Sequence, residues 1–248
     1  KHMDPSDYYY SRIPTWIQEN DKLWKETLSV GNANTDWLDL ILQTGISHNA
    51  DFSVAGGGKN SRYYTSFSYS KQDGTLINTS FERYAGKISV DNDITESFRM
   101  GTNINFGYTK NNITNGIYSQ AMSAPPILSP YNADGTYANY GLLPSEFASS
   151  YMGFQNPLAV ASGTNEAKTY SFKGSMYGEL DIVKDLKFKS MVSVSYENYN
   201  QLNYIPSYVM VSGFYGAGSS EGGQGSQAQN IATGMFFENT LTYNKIFN

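Results

Sequence analysis

The amino-acid sequence predicts an all-β fold, an antiparallel up-and-down meander of about seven long strands that forms part of a transmembrane β-barrel. Apolar and polar residues alternate over 98–108, and a period of two is typical of a strand with one apolar and one polar face. A tilted strand needs about eleven residues to cross a bilayer, and soluble strands typically have about five or six. Tight connections also alternate with very long ones, as in outer-membrane barrels.

The composition of the 248 residues fits such a wall and excludes several other classes of protein. Aromatic residues make up 15% of the chain, with 21 Tyr and 13 Phe, and tyrosine suits both a water–lipid boundary and a surface that binds sugars. The mean hydropathy of −0.46 is low because half of each barrel strand faces water. The net charge of −5 argues against a nucleic-acid partner, and the absence of cysteine excludes disulfide bonds and thiolate metal sites.

We expect residues 1–46 to form a helical and loop segment. A short amphipathic helix fits 14–28. A second helix is expected to begin with Thr35 or Asp36 as its N-cap and to stop at Gly45. Its apolar side would consist of Trp37, Leu38, Ile41 and Leu42. The opening residues show no signal peptide, so we expect the chain to start in the middle of a longer protein.

The remainder, residues 47–248, is expected to form the partial barrel wall. Alternating segments predict strands at 47–57, 61–73, 82–92, 96–110, 168–183, 186–200 and 230–244. Tight turns are expected at 56–60, 92–95 and 183–186, and long connections at 111–167 and 201–229. In an outer-membrane barrel the tight turns lie on the periplasmic side and the long loops lie outside. Loops of such length are usually functional when they are ordered.

The alternation assigns strand residues to two faces. The face expected to meet lipid carries Phe98, Ile104, Phe106, Phe172, Leu180, Phe188, Val192 and Val194. The opposite, polar face carries Lys87, Arg99, Asn103, Lys173 and Lys187. The separation should be strict, because a charge on the lipid face costs about 2–4 kcal/mol at mid-bilayer. All strand pairs are expected to be antiparallel contacts between neighbours in sequence.

No motif in the sequence predicts an enzyme, a cofactor or a metal site. Residues 53–60 match a phosphate loop poorly, because the first glycine and the final hydroxyl residue are missing and a strand follows. The two histidines, His2 and His48, stand in no metal or triad spacing. Glu179 and Asp181 share the polar face of one expected strand near a turn. Water-exposed charge explains them better than the paired carboxylates of a glycosidase.

Aromatic residues in the long connections are the candidates for ligand contact. The first connection supplies Tyr118, Tyr131, Tyr137, Tyr140 and Tyr151, and the second supplies Tyr208 and Phe214. Aromatic faces beside Asn and Gln side chains suit sugars and peptides alike. The competing interpretation is that these rings pack the loops onto themselves.

An ordered series of short motifs runs across almost the whole chain. The first are Asn34-Thr35-Asp36-Trp37, Thr44-Gly45, Phe52-Ser53-Val54-Ala55-Gly56-Gly57, Tyr63-Tyr64, Gln72-Asp73-Gly74 and Phe81-Glu82-Arg83-Tyr84. Further on come Pro125-Pro126, the run from Pro130 to Tyr137, and Asn156-Pro157-Leu158-Ala159. Together these motifs resemble the starch-utilisation-type (SusC/RagA) TonB-dependent transporters of Bacteroidetes, and the later ones are similar to that family's first large extracellular loop region.

The resemblance implies a plug domain followed by a barrel of about 22 strands, of which this chain would supply about seven, the second to the eighth. Residues 1–46 would then belong to the extracellular loop after the first strand. It implies import of glycans or oligopeptides across the outer membrane, without a cofactor. Its expected partners are membrane lipid, a surface lipoprotein lid (SusD-like) and the TonB complex. Because unpaired strand edges cannot face lipid, self-association through the two end strands is a further expectation.

Two other functions stay open at the level of the sequence. A soluble carbohydrate-binding β-domain would use the aromatic residues as a sugar platform, and an enzyme fragment would use a pair of carboxylates. Partition between detergent and buffer separates the soluble domain from a barrel wall. A hydrolysis assay separates the binding domain from the enzyme.

Overall fold

The computed structural model describes residues 33–114, 116–138, 155–209 and 223–245, and its main element is one seven-stranded sheet. The strands are β1 (Ser47–Gly57), β2 (Ser61–Asp73), β3 (Ser80–Asp93), β4 (Phe98–Asn112), β5 (Thr164–Val183), β6 (Leu186–Ile205) and β7 (Gln224–Tyr243). Each strand pairs antiparallel with its neighbour in sequence. The predicted all-β up-and-down meander is confirmed. The helix predicted at 14–28 lies outside the described residues.

Within the described residues, three short helices lie outside the sheet: α1 (Trp37–Ile41), α2 (Ile117–Ser123) and α3 (Pro157–Ala161). Helix α1 begins at the predicted place, because the Asp36 carboxylate accepts hydrogen bonds from the N–H groups of Leu38 and Asp39, both at 3.1 Å. It is shorter than predicted. Leu42 is extended and forms a β-bridge with Leu76, and this pairing replaces a further helical turn.

The register of the sheet separates the two predicted sets of strand residues. Directly opposite residues in an antiparallel ladder share a face, and Ile104 lies opposite Ile88 and Gly174. The next residue, Asn105, lies opposite Lys87 and Lys173. Continued across the strands, this register brings every residue of the predicted apolar set to one face and every residue of the polar set to the other. The facing prediction is confirmed, and we call the two sides the apolar face and the polar face.

The last three strands extend beyond their predicted bounds, so the long connections are shorter than expected. They cover 113–163 and 206–223 in place of the predicted 111–167 and 201–229. The added residues of β5 and β7 are mostly polar on both faces, so the apolar alternation stops there while the backbone pairing continues. In β6 the alternation is interrupted by Asn198 and Asn200 before Leu202 returns to the apolar face. Thr164 still pairs with Tyr204, and Ile205 still pairs with Gln224. A strand end that is wetted on both sides carries no period-two signal.

The connections sort to two ends of the sheet, as predicted. Residues 58–60, 94–97 and 184–185 form one end, the turn end, and 74–79, 113–163 and 206–223 form the other, the loop end. The Thr95 hydroxyl closes one turn by accepting hydrogen bonds from the N–H groups of Ser97 and Phe98 at 3.3 and 3.0 Å. Asp185 closes another with a φ of 71°, a conformation that Asp adopts more readily than most residues.

Most of the buried apolar side chains lie at the loop end, and very few lie in the sheet. Strand β7 is exposed along its whole length, and its Met235 side chain is 73% exposed. The buried cluster comes from outside the strands and consists of Trp37, Ile41, Ile117, Ala121, Ile127, Leu128, Leu158 and Ala161. We call the residues around this cluster, 33–46, 113–138 and 155–163 as far as they are described, the cap. In the described part of the chain no helix has the length and apolarity to cross a membrane.

A row of tyrosines crosses the apolar face near the loop end. Tyr69, Tyr84, Tyr108 and Tyr170 lie opposite one another on four successive strands. Their ring centroids are separated in turn by 4.9, 6.2 and 4.9 Å. The next row toward the loop end is charged and consists of Lys71, Glu82, Lys110 and Lys168. Membrane barrels present the same order of layers at a lipid–water boundary: an apolar band, a row of aromatic residues, and then charged residues.

Candidate ligand-binding site

Two buried polar side chains attach the first segment of the cap to the long connection. The Trp37 indole Nε1–H donates to the Pro125 carbonyl at 2.9 Å. The Thr35 hydroxyl donates to the Leu128 carbonyl at 2.6 Å, and the Thr35 N–H donates to the Pro126 carbonyl at 2.8 Å. These bonds satisfy groups that would cost about 1–3 kcal/mol each if they were buried without a partner. They fix the Pro125-Pro126 turn, and with it the chain that leads to the tyrosines.

A small hairpin in the cap presents the first two tyrosines. Tyr131 and Tyr137 form an antiparallel bridge, and the Asn132 N–H donates to the Thr136 carbonyl at 2.8 Å. The Asp134 carboxylate accepts from the Thr136 N–H at 2.9 Å and from the Thr136 hydroxyl at 2.6 Å. These two bonds lower the pKa of Asp134, so the carboxylate stays charged and holds the turn. Gly135 completes it with a φ of 83°, where a side chain would be strained.

Asn156 links the base of this hairpin to helix α3. Its side-chain N–H group donates to the Pro130 carbonyl at 2.7 Å and to the Ala138 carbonyl at 3.2 Å. Its side-chain oxygen accepts from the Leu158 N–H at 3.1 Å and thereby caps α3. The residue is only 5% exposed. One buried amide therefore fixes both strands of the hairpin against a helix of the cap core.

Three tyrosine rings meet where the two long connections come together. The ring centroids of Tyr131 and Tyr137 are 5.6 Å apart, and those of Tyr137 and Tyr208 are 5.7 Å apart, with interplanar angles of 27° and 28°. The hydroxyl groups of Tyr208 and Ser162 are 3.0 Å apart and share a hydrogen bond. We call Tyr131, Tyr137 and Tyr208 the tyrosine cluster. It joins the connection before β5 to the connection after β6.

The middle ring of the cluster is anchored and the outer rings are open. Tyr137 packs against the buried core of the cap. This partial burial raises the pKa of its phenol, and electrostatic repulsion from the ionised forms of Tyr131 and Tyr208 raises it further. Tyr131 and Tyr208 are 45% and 46% exposed. The cluster therefore offers two ring faces and their hydroxyl groups to solvent from a fixed support, which is the arrangement that a stacking ligand requires.

The two carboxylates considered for hydrolysis lie at the opposite end of the sheet. Glu179 approaches Arg99 at 3.3 Å and Lys187 at 3.5 Å, and Asp181 approaches Lys187 at 3.4 Å. Both are thus engaged with cations beside a tight turn. Within the described ranges, no three His, Cys, Asp or Glu side chains come together as a metal site requires.

The structure brings together three of the predicted ligand residues, Tyr131, Tyr137 and Tyr208. Tyr118 lies apart on α2, is exposed, and has no ring contact with the cluster within the described residues. The other three predicted residues, Tyr140, Tyr151 and Phe214, lie outside the described residues. The role of all seven as ligand contacts stays a prediction.

Sequence reasoning missed the residues that support the cluster. Asn156 could have been recognised, because Asn followed by Pro157 and an apolar run is typical of a helix N-cap with proline at the first helical position. Ser162 gave no such signal, since its bond to Tyr208 depends on two connections that meet only in the folded chain.

The sequence is similar to curated TonB-dependent receptors. It is 34% identical to TonB-dependent receptor P3 of Formosa agariphila over 236 residues, which cover 90% of this chain and 22% of that protein. It is 30% identical to TonB-dependent receptor P26 of the same organism over 213 residues, and 24% identical to TonB-dependent receptor SusC of Bacteroides thetaiotaomicron over 217 residues. These matches cover 85% and 79% of this chain but 20% and 22% of those receptors. No protein-family model matches the sequence.

Solved structures with the same fold agree with these relatives. The RagAB peptide importer in its closed-closed state matches 92% of this chain and 26% of its own, with a TM-score of 0.66 at 18% sequence identity. The RagAB peptide transporter matches 90% of this chain and 25% of its own, with a TM-score of 0.65, also at 18% identity. The curated relatives are named as receptors, in agreement with the prediction that the chain is not an enzyme. The chain belongs to the TonB-dependent receptors, and it spans about a fifth of the length of the curated relatives it matches.

Proposed function

We propose that this chain forms part of the wall and the extracellular loops of an active importer for glycans or oligopeptides in the bacterial outer membrane, and that the tyrosine cluster contacts the substrate. The main support is one combination of features. A sheet with one apolar and one polar face ends in a cap that presents Tyr131 and Tyr137, and Tyr208 from the next long connection stacks on them. A wall that separates lipid from water needs the two faces, and a capture site needs the fixed rings.

The layers of the sheet support its orientation in the membrane. The apolar face would meet lipid, with the row from Tyr69 to Tyr170 at the outer lipid–water boundary. The cap and the tyrosine cluster would then lie outside the cell, and the tight turns would face the periplasm. Uncovered apolar side chains along β7, such as Met235, argue against the soluble carbohydrate-binding domain, which would have to cover them.

We infer the class of substrate and the partners from the family. The related structures are named as a peptide importer and a peptide transporter, which favours oligopeptides, whereas open tyrosine faces also fit sugar rings. A SusD-like surface lipoprotein would close over the cap, and the TonB complex would supply energy through other parts of the complete receptor. Stacking contributes about 0.5–1.5 kcal/mol per ring, so the cluster must act together with further contacts.

Transport by the complete receptor tests this proposal. Tyr131→Ala combined with Tyr208→Ala should lower substrate uptake on the order of tenfold, because two stacking contacts are lost. Receptor abundance in the membrane should not change, because both rings are half exposed. Tyr131→Phe is the matched control, since it keeps the stacked ring and should retain uptake. Normal uptake by the double alanine variant would refute the role of the cluster.

A further inference from the structure

The polar face carries a shallow cavity of about 290 Å³, whose floor lies one residue closer to the turn end than the row from Tyr69 to Tyr170 on the apolar face. Its floor is one row of small residues on four successive strands: Ser68, Ala85, Gly107 and Ser171. The row has little side-chain volume, so the face is concave there. A Cβ added to Gly107 would lie only 2.7 Å from the Ser171 hydroxyl oxygen. A larger side chain at this position would therefore begin to fill the cavity.

Three cationic side chains surround this floor. Lys87 and Lys173 lie on either side of Asn105, in the next row toward the turn end. Their backbones are roughly 10 Å apart, because neighbouring strands are spaced by about 4.8 Å. Arg83 lies in the next row toward the loop end, and all three cations are exposed. We call the floor row with Arg83, Lys87 and Lys173 the basin.

The cations of the basin have no counter-charge among the described residues. Elsewhere in the sheet, ion pairs are formed by Arg99, Lys110, Lys168 and Lys187. No carboxylate of the described ranges lies within ion-pair distance of the basin cations, and Lys87 instead lies 5.8 Å from the centroid of the Tyr64 ring. The nearest acidic residues in the floor row, Asp51 and Glu197, lie one strand beyond it on either side.

The remaining groups of the basin are also suited to an anion. The Ser68 hydroxyl and the side-chain amide of Asn105, which also lines the cavity, can donate hydrogen bonds, whereas the Ser171 hydroxyl already donates to the Gly107 carbonyl at 3.4 Å. Hydrogen bonds from a cation or a polar group to an oxyanion are stronger than neutral ones. A concave surface with one sign of charge also raises the local concentration of the opposite charge.

We propose that the basin binds an oxyanion, a carboxylate or a sulfate group, of a molecule that passes along the polar face. This inference rests on the proposed function, in which the polar face lines the path of import. It adds a property of the substrate, namely negative charge, and assigns its recognition to the wall, outside the cap and the tyrosine cluster. The cluster would capture ring surfaces outside, and the basin would receive charged groups farther along the path.

Protection of lysines from chemical acetylation in the complete purified receptor tests the basin. The probes are trigalacturonate, its uncharged methyl ester, and inorganic sulfate, each at millimolar concentration, and mass spectrometry reports the modification rate of each lysine. Trigalacturonate should slow the acetylation of Lys87 and Lys173 by about threefold or more, as majority occupancy requires. Lys187 is the internal control, because it lies on the same face but is already paired with carboxylates.

Two variants separate an anion site from other causes of protection. Ala85→Leu keeps all three cations but fills the floor, and Arg83→Gln removes one charge while both reporter lysines remain. Both should reduce the protection by trigalacturonate, and the methyl ester should protect in no form of the receptor. Protection by sulfate as well would mark a general oxyanion site, and protection by trigalacturonate alone would mark a carboxylate site.

Three results would overturn the inference: no protection by either anion, equal protection by the ester, or lysines that are already unreactive without a probe because the receptor itself covers them. Each leaves the proposed function untouched when the tyrosine variants still impair uptake. Loss of the tyrosine effect with retained protection would instead refute the proposed function.

Discussion

At the scale of single residues, the geometry of the tyrosine cluster depends on Asn156. Replacing it by alanine removes the cap of α3, leaves the Ala138 carbonyl without the Asn156 donor, and leaves the Pro130 carbonyl with the Ala138 N–H alone. We expect local opening of the cap to become easier by about 2–3 kcal/mol. In the complete receptor, hydrogen exchange should speed up at the Leu158 N–H and at the hairpin N–H of Ala138.

Asn156→Asp separates the two roles of this side chain. Aspartate can still accept from the Leu158 N–H, so the helix amide should stay protected. It cannot donate to the two carbonyls, so the hairpin amides should exchange faster. A hairpin that keeps its protection in both variants would show that Asn156 does not hold it.

The phenol of Tyr137 gives a pH-dependent signature of the cluster. Its pKa is raised in the folded chain, chiefly by burial, above the ordinary value of about 10. The folded state therefore favours the neutral ring. Its stabilising contribution is complete below pH about 10 and is lost as the pH rises through the higher folded-state pKa. An ultraviolet titration of the receptor, minus that of Tyr137→Phe, should show an ionisation above pH about 10. An ionisation at or below that value would contradict a partly buried, stacked ring.

The candidate residues illustrate what the sequence can and cannot reveal at this scale. The sequence alone identifies aromatic residues in the long connections as candidates, and Tyr131, Tyr137 and Tyr208 are among them. Their meeting was not visible, because it requires two connections separated by β5 and β6 to converge. The same limit applies to the basin. Lys87 and Lys173 could be assigned to one face, but their shared neighbour Asn105 emerged only from the register.

At the scale of elements, period-two alternation located the strands wherever one face is apolar. Strands β1 and β2 match their predicted bounds. Phe52 and Val54 in β1 lie on the apolar face, as do Tyr63, Phe67 and Tyr69 in β2. The first residues of β7 carry no such mark. There the pairing is set by the preceding strand, as between Gln224 and Ile205, and local sequence does not reveal it.

The middle of β4 tests the assignment of faces. Ile104→Lys should strongly reduce assembly of the complete receptor in the outer membrane, because a lysine on the lipid face costs about 2–4 kcal/mol at mid-bilayer. Asn103→Lys introduces the same side chain one residue earlier, on the polar face, and should assemble normally. Heat-modified mobility of the membrane fraction measures the assembled receptor. Equal assembly of the two variants would argue that neither face meets lipid.

At the scale of the whole molecule, the described part of the chain consists of a sheet without an internal core and a cap that has one. Such a sheet is stable only with an apolar environment on one side, and the cap supplies rigid geometry at its loop end. In the described residues, β1 and β7 each pair on one side only. We therefore expect the isolated chain in detergent to associate through these edges. Sedimentation should show a mass that rises with concentration, and a strictly monomeric species would contradict this expectation.

In the arrangement that we propose, the strands span the outer membrane, the apolar face meets lipid, and the cap lies outside the cell. The most direct test labels single cysteines in the complete receptor on intact cells, using a reagent that cannot cross the membrane. This chain has no native cysteine, and Ala133 in the hairpin and Lys184 in a tight turn are both exposed. Ala133→Cys should be labelled on intact cells, and Lys184→Cys only after the membrane is permeabilised. Labelling of Lys184→Cys on intact cells, with Ala133→Cys protected, would contradict the account.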